Sequence, residues 1–288
     1  MHFLIFAIIC SVSVSVLFKL TKKFNIIIPQ MIAIGYVMAL SLSYVLLKPD
    51  FQGLSFTEFF IQSPAMPIFV TLGIILPLGF IVMSKAIEYG GIVRTDAAQR
   101  LALFLQIVAA VVLFGETLSH FRVVGVIVAF AALFCLLFKP ATTVENALKA
   151  ALALAGVWLI WGTSGILYKK TALLGGAFPT TLFISFTLAA VIMLTILLLK
   201  RTQWTVPSFV GGLILGCLNF GNILFYIYAH QYFKENPTIV FATMDLGVIC
   251  LGALVGAWAF KERLSKTNMI GIVLGISAIL FMYVEKLL

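Results

Sequence analysis

The sequence predicts an all-α membrane protein of ten transmembrane helices arranged as two inverted five-helix repeats, and three observations predict it. The first is solvent. Residues are 62% hydrophobic and 10% charged, with a mean hydropathy of +1.17, which leaves too little polar surface to cover a water-soluble domain of this size. The second is length, because ten charge-free stretches approach the roughly 20 apolar residues needed to cross a hydrocarbon core of roughly 30 Å. The third is an internal repeat that relates the two halves of the chain.

The ten stretches run over 1–18, 24–47, 59–84, 101–115, 123–138, 150–168, 171–199, 202–233, 246–260 and 267–284. They are continuously apolar, whereas the strands of a membrane barrel alternate lipid-facing with lumen-facing residues, so they read as helices. The first stretch lacks the basic leading segment of a signal peptide, and Lys19, Lys22 and Lys23 follow it, so it is expected to be retained as a span. Cys10, Cys135, Cys217 and Cys250 all lie inside apolar stretches without metal-ligand spacing. They read as packing residues, and neither a metal nor a cofactor is expected. The net charge of +9 comes from lysines and arginines placed singly or in short groups at helix ends, the distribution of membrane anchors rather than of a nucleic-acid surface. The longest polar gap, around Lys48 to Gln62, is too short for a catalytic or docking domain. The lipid bilayer is therefore the first expected partner, with a bacterial inner or plasma membrane as the location.

The repeat is carried by short matches. Gly115-Glu116-Thr117-Leu118-Ser119 followed by Gly125 recurs as Lys261-Glu262-Arg263-Leu264-Ser265 followed by Gly271, at an offset of 262 − 116 = 146. Val16-Leu17-Phe18-Lys19 pairs with Ile166-Leu167-Tyr168-Lys169 at an offset of 169 − 19 = 150. Lys139-Pro140-Ala141-Thr142-Thr143 marks the seam, since proline stops one helix and threonine can cap the next. The expected units are 1–140 and 141–288. Five spans is an odd number, so the second unit enters the membrane in the opposite sense, and both termini fall on one side. Glu116 and Glu262 are expected to be structural, accepting hydrogen bonds from backbone N–H groups at the start of the following helices.

These residues resemble the EamA family of the drug/metabolite transporter superfamily. The resemblance is carried by the glutamate and Leu-Ser pattern at Glu116 and Glu262, by Trp161-Gly162-Thr163-Ser164 opening the sixth span, and by Ala86-Ile87-Glu88-Tyr89-Gly90 between the third and fourth. It covers nearly the whole chain. It implies a secondary transporter rather than an enzyme, built from two five-helix units with cytoplasmic termini, and it adds Trp161 to the substrate-binding set. Counting basic residues by alternate loops favours the opposite side for the termini. One departure is that Ser11, Ser13 and Ser15 stand where the Trp-Gly motif would fall in the first span.

A candidate site follows from two short stretches. At about 1.5 Å per residue, 101–115 and 246–260 reach only roughly 22 Å and must extend backwards through polar residues. The first then takes in Asp96, Gln99 and Arg100, the second Asp245, at corresponding places in the two halves. Interrupted spans at matching positions point to a transporter's binding site. Asp96 and Arg100 are four residues apart on one face and can pair locally, whereas Asp245 needs a partner from another helix, with Arg100 the first candidate. Asn219, Asn222, Tyr226 and His230 are spaced by three, four and four residues and form a polar stripe on one helix. The corresponding face earlier in the chain, Gly79, Val82 and Ala86, is apolar.

Opposite charges suit a zwitterion such as an amino acid, Arg100 taking a carboxylate and Asp245 an amine. Two other readings remain open. Gly162-Thr163-Ser164-Gly165 fits the pattern of a rhomboid intramembrane serine protease, with Ser164 as nucleophile and His230 as base. A small cation or multidrug exporter would place a carboxylate in the first span, which has none. Proton or ion coupling would fall to Asp96 or Asp245. No Gly-x-x-x-x-Gly-Lys-Ser/Thr motif occurs, so direct drive by ATP is not expected. A monomer and a homodimer are equally compatible with the sequence.

Overall fold

The computed structural model describes residues 2–113, 147–174, 177–232 and 237–260 without a break, together with scattered positions between 115 and 135 and between 266 and 277. Glu116, Ser119, Glu262, Ser265, the seam Lys139 to Thr143 and most of the stretches 123–138 and 267–284 lie outside the described residues.

Among the described residues there are nine α-helices and no strand. In the first half these are α1 (His2–Leu20), α2 (Ile28–Leu42, continued by a π-helical turn over Ser43–Leu47), α3 (Phe56–Gln62), α4 (Met66–Gly90) and α5 (Ile92–Val112). In the second half they are α6 (Ala147–Leu173), α7 (Phe178–Leu199), α8 (Val206–Tyr232) and α9 (Pro237–Phe260). Six of them, α1, α2 with its π turn, α4, α6, α7 and α8, are long and apolar enough to cross a membrane. Their outward faces carry Phe6, Ile74, Leu159, Val191 and Val210, each roughly half exposed. A water-facing surface rarely presents apolar area on that scale, and lipid accepts it at no cost.

Proline decides where several helices begin. Pro29, Pro67 and Pro179 sit in the first turns of α2, α4 and α7, where the missing N–H would have no helical partner in any case. The apolar stretches from 24, 59 and 171 therefore become membrane helices only at Ile28, Met66 and Phe178. The residues before α4 form the separate short helix α3, which begins with a capping box. The Ser55 side chain accepts from the Glu58 N–H, and the Glu58 carboxylate accepts from the Ser55 N–H.

Helices from the two halves interleave. α8 packs on α1 and α2, and α4 packs on α6 and α7. Glycines permit the closest approaches: a Cβ at Gly212 of α8 would lie 2.5 Å from Cβ of Ile34, and one at Gly79 of α4 would lie 2.9 Å from Ile160. The Gly79 and Val82 face is thus filled by α6, since a Cβ at Gly156 would in turn touch Val82. α2 and α7 also pack on each other, α5 packs on α6, α9 on α1, and α5 and α9 meet.

Two polar clasps fasten the ends of α2 and α7. At the start of α2 the fully buried Gln30 amide donates to the Gln203 carbonyl at 2.6 Å and accepts from the Thr205 N–H at 3.3 Å. The Ile27 N–H donates to Ser208 Oγ beside it. At the start of α7 the Thr180 hydroxyl donates to the Asp50 carbonyl at 2.9 Å and accepts from the Asp50 N–H at 3.1 Å. Each helix thus begins in one clasp and ends close to the other.

Candidate functional site

α5 starts after a one-residue turn, because Gly91 adopts φ +82°, a conformation that an L side chain rarely takes. That sharp return brings Arg94, Thr95, Asp96, Gln99 and Arg100 into the first half of the helix, so α5 and α9 do extend backwards through the polar residues as their short apolar lengths require. α5 is held on one side by α6, where Trp158 Nε1 donates to the Leu101 carbonyl at 3.0 Å and the Gln106 amide to the Trp161 carbonyl at 3.4 Å.

On the other side α5 meets α1 through its charges. The Ser15 hydroxyl donates to Asp96 Oδ1 at 2.8 Å, and an Arg100 guanidinium N–H donates to Ser11 Oγ at 2.8 Å. Both pairs are four residues apart on their helices, so the two serines match the two charged residues one turn for one turn. Asp96, Ser11 and Ser15 are all buried. α9 closes the seam, since a Cβ at Gly252 would lie 3.6 Å from Asp96 Oδ2. An ionised group in a bilayer costs roughly 2.5–3.5 kcal/mol at the centre of a helix even on a lenient scale, and this seam answers part of that cost with hydrogen bonds.

The remaining predicted residues are distributed over a wider region. Asn219 lines a narrow cleft between α2, α4 and α8, together with Ile32, Gly35, Tyr36, Phe80, Leu215 and Gly216. Tyr226 packs beside the apolar cluster that joins α1, α8 and α9. Asn222 and Gln99 are partly buried on α8 and α5. Trp161 lies in the middle of α6 rather than at its opening, with its ring edge-on to Phe80 at 5.6 Å between centroids. The side chains of Asp245 and His230 lie outside the described residues, although both positions are helical.

Sequence reasoning missed Ser11 and Ser15 as partners, noting them only as a departure from a motif. Their spacing was the available signal, because a four-residue interval on one apolar helix repeats the interval of Asp96 and Arg100 on another. Ser164 carries no sign of a nucleophile: it is buried and its hydroxyl donates to the Ile160 carbonyl of its own helix at 2.8 Å. The protease reading has no support.

The apolar outer faces, the interleaved helices and the buried charges define an integral multi-pass membrane protein. The chain belongs to the EamA-like transporter family, whose model matches residues 148–284. It is 58% identical over 285 residues to a protein of Haemophilus influenzae (strain ATCC 51907 / DSM 11121 / KW20 / Rd) described as uncharacterized, with 98% of each chain covered. It also resembles in fold a solved crystal structure described only as that of a protein. That likeness has a TM-score of 0.66 and 16% identity, over 97% of this chain and 94% of the other.

Proposed function

We propose that the chain is a secondary transporter that exports a small zwitterionic metabolite, such as an amino acid, by alternating access across a bacterial inner membrane. The observation that carries this reading is the seam of α1 and α5, where a buried carboxylate and a guanidinium are held inside an apolar bundle by hydroxyls of another helix. Buried charge adds little to stability compared with apolar packing of the same shape, so its presence argues for use.

The proposed units are 1–140 and 141–288, related by inversion. What supports this is that the packing relations come in pairs: α1 on α8 is answered by α6 on α4, α2 on α8 by α7 on α4, and α1 on α9 by α6 on α5. Such an arrangement allows one set of helices to rock against the other around a fixed site. In this reading Arg100, Asp245, Asp96, Gln99, Trp161, Asn219, Asn222, Tyr226 and His230 surround the substrate path. Coupling to protons or ions falls to Asp96 or Asp245.

Comparing metabolites in medium and cytosol, with and without the gene, tests both substrate and direction: the exported solute accumulates in the cytosol when the gene is removed. Arg100→Leu and Asp245→Asn should each reach the membrane and lose transport. If the two were only a structural ion pair, the double variant would recover, because two neutral groups leave no unpaired charge in the bundle. Near-normal transport by the Arg100→Leu, Asp245→Asn double variant defeats the site.

A further inference from the structure

The two ends of a membrane bundle face different solvents and different lipid leaflets, so the charges that a fold collects at each end bear on which end is which. Here the ends differ. At the first, Lys19, Lys22 and Lys23 close α1 and Lys200 and Arg201 follow α7, while Lys85 lies near the end of α4. Arg94 and Lys149 open α5 and α6 there. Contacts fix these ends side by side, since Lys22 Nζ lies 3.6 Å and Lys85 Nζ 2.9 Å from the Glu88 carboxylate. The Gln30 amide at the start of α2 reaches the Gln203 carbonyl just beyond α7, and a Cβ at Gly90 of α4 would touch Leu154 of α6. Among the described residues this face holds those eight basic residues and a single exposed acid, Glu88.

The opposite face is close to balanced. Lys48, Asp50 and Glu58 lie between α2 and α4, and Lys169 and Lys170 lie near the end of α6. The Thr180 clasp on Asp50 and the Tyr168 ring, 5.5 Å from that of Phe178, bring both groups to the start of α7. The start of α1 is at this face as well, with the Phe3 ring 5.4 Å from that of Tyr228 near the end of α8. Among the described residues, three basic groups here stand against two acidic ones. Lysines that served only to anchor helix ends by reaching out of the apolar layer would be shared evenly between the faces. They are not.

We infer that the lysine-rich face is the cytoplasmic one, set against the anionic phospholipid headgroups of that leaflet, and that the N-terminus lies on the other side of the membrane. A cytoplasmic leaflet carries a negative surface potential that attracts lysine and arginine, and basic segments are retained on that side during insertion. Resemblance to the EamA family implies the reverse, a cytoplasmic N-terminus. The inference requires only that the chain spans a membrane, and it holds for any solute. It also gives the charged seam a side: at about 1.5 Å per residue, Asp96 and Arg100 lie roughly 8 and 14 Å inward from the turn at Gly91. The seam then belongs to the cytoplasmic half of the bundle.

The test uses the full chain with one added thiol at an exposed position of either face, Gln203→Cys or Thr57→Cys. Gln203 holds Gln30 through its backbone carbonyl, so this substitution spares the clasp. Spheroplasts of bacteria expressing each variant are treated with a membrane-impermeant maleimide before and after permeabilisation, and the unsubstituted chain supplies the background of its own four cysteines. Thr57→Cys should be labelled in intact spheroplasts, and Gln203→Cys should stay at background until the membrane is permeabilised. Labelling of Gln203→Cys in intact spheroplasts overturns the orientation, and so does a Thr57→Cys thiol that reacts only after permeabilisation. The lipid contact has its own measurement, the melting temperature in nanodiscs of phosphatidylglycerol and of phosphatidylcholine. The wild type should melt higher in phosphatidylglycerol at low salt, and the difference should shrink at high salt and in the combined Lys22→Gln, Lys23→Gln, Lys200→Gln variant. Equal melting of the wild type in the two lipids, or a difference undiminished in that variant, overturns the contact.

Discussion

The seam of α1 and α5 and the clasps at the ends of α2 and α7 are both polar contacts in an apolar bundle, yet they differ in what they hold. A clasp joins a neutral side chain to loop backbone, as Gln30 does with Gln203 and Thr205, or Thr180 with Asp50. The seam joins side chain to side chain and two of its members are charged. Loop backbone groups must find partners whatever the protein does, so a clasp is explained by folding alone. A charge placed inside the bundle must first be stripped of water, and folding alone gives no reason to place it there. The difference separates polar groups that fasten the molecule from polar groups that the proposed function would use.

Gln30→Ala gives the largest effect expected from this comparison. It leaves the Gln203 carbonyl and the Thr205 N–H without their side-chain partner and empties a fully buried site, for a loss of about 3 kcal/mol of stability. Thr180→Val keeps the shape and removes two hydrogen bonds, so its loss should be smaller, about 1–2 kcal/mol. In both, transport per folded molecule should stay near the wild-type level. Melting temperature and reconstituted transport, measured on the same preparations, check the pair. A Gln30→Ala protein of normal stability that transports poorly would break the distinction between fastening and function.

The reverse pattern is expected at the seam. Ser11→Ala with Ser15→Ala removes the hydroxyls that orient Arg100 and Asp96 and should lower transport roughly tenfold. Stability should change by only about 1 kcal/mol, since hydrogen bonds between membrane helices average roughly 0.6 kcal/mol. Threonine at both positions retains the hydroxyls and should restore much of the activity. A double alanine variant that unfolds but transports normally while folded would make the seam a third clasp.

Much of this organisation was legible in the sequence, and the parts that were not have physical reasons. Among the described residues, hydropathy located six helices long and apolar enough to cross a membrane, and the brevity of 101–115 and 246–260 required α5 to take in Asp96 and Arg100 and α9 to take in Asp245. Helix starts were displaced where proline sets them, at Pro29, Pro67 and Pro179. α3 was absorbed into a longer stretch, although Ser55 and Glu58 spell its capping box. Gln30 gave no warning, because a single glutamine at the edge of an apolar run reads as a surface residue until its partners, more than 170 residues away, are known. Tyr36 and Phe80 are equally silent, since aromatic residues are common in every span and only three dimensions bring them together with Trp161 and Asn219.

The smallest effect sharpens the comparison from outside the membrane. Glu58 is fully exposed, and its carboxyl is held below the ordinary value, first by the hydrogen bond from the Ser55 hydroxyl and then by the Ser55 N–H. A carboxyl lowered in the folded state contributes stability that is complete above its unfolded value and is lost as pH falls through the lowered one. Between neutral and mildly acidic pH the first turn of α3 should therefore be unchanged, and further acidification should loosen it. Amide-exchange protection at Glu58 and Phe59, taken relative to Glu58→Gln at each pH, reads this directly. The wild type should lose protection with acid while Glu58→Gln stays low and flat, and the global melting temperature should move far less than in Gln30→Ala. Water competes for every bond of the Ser55 and Glu58 box, whereas nothing competes for those of the buried Gln30, so two polar motifs at helix starts should differ widely in their hold on the fold. A large pH-dependent loss of global stability that vanishes in Glu58→Gln would show instead that α3 anchors the bundle through the Phe51, Phe56 and Phe183 contacts beside it.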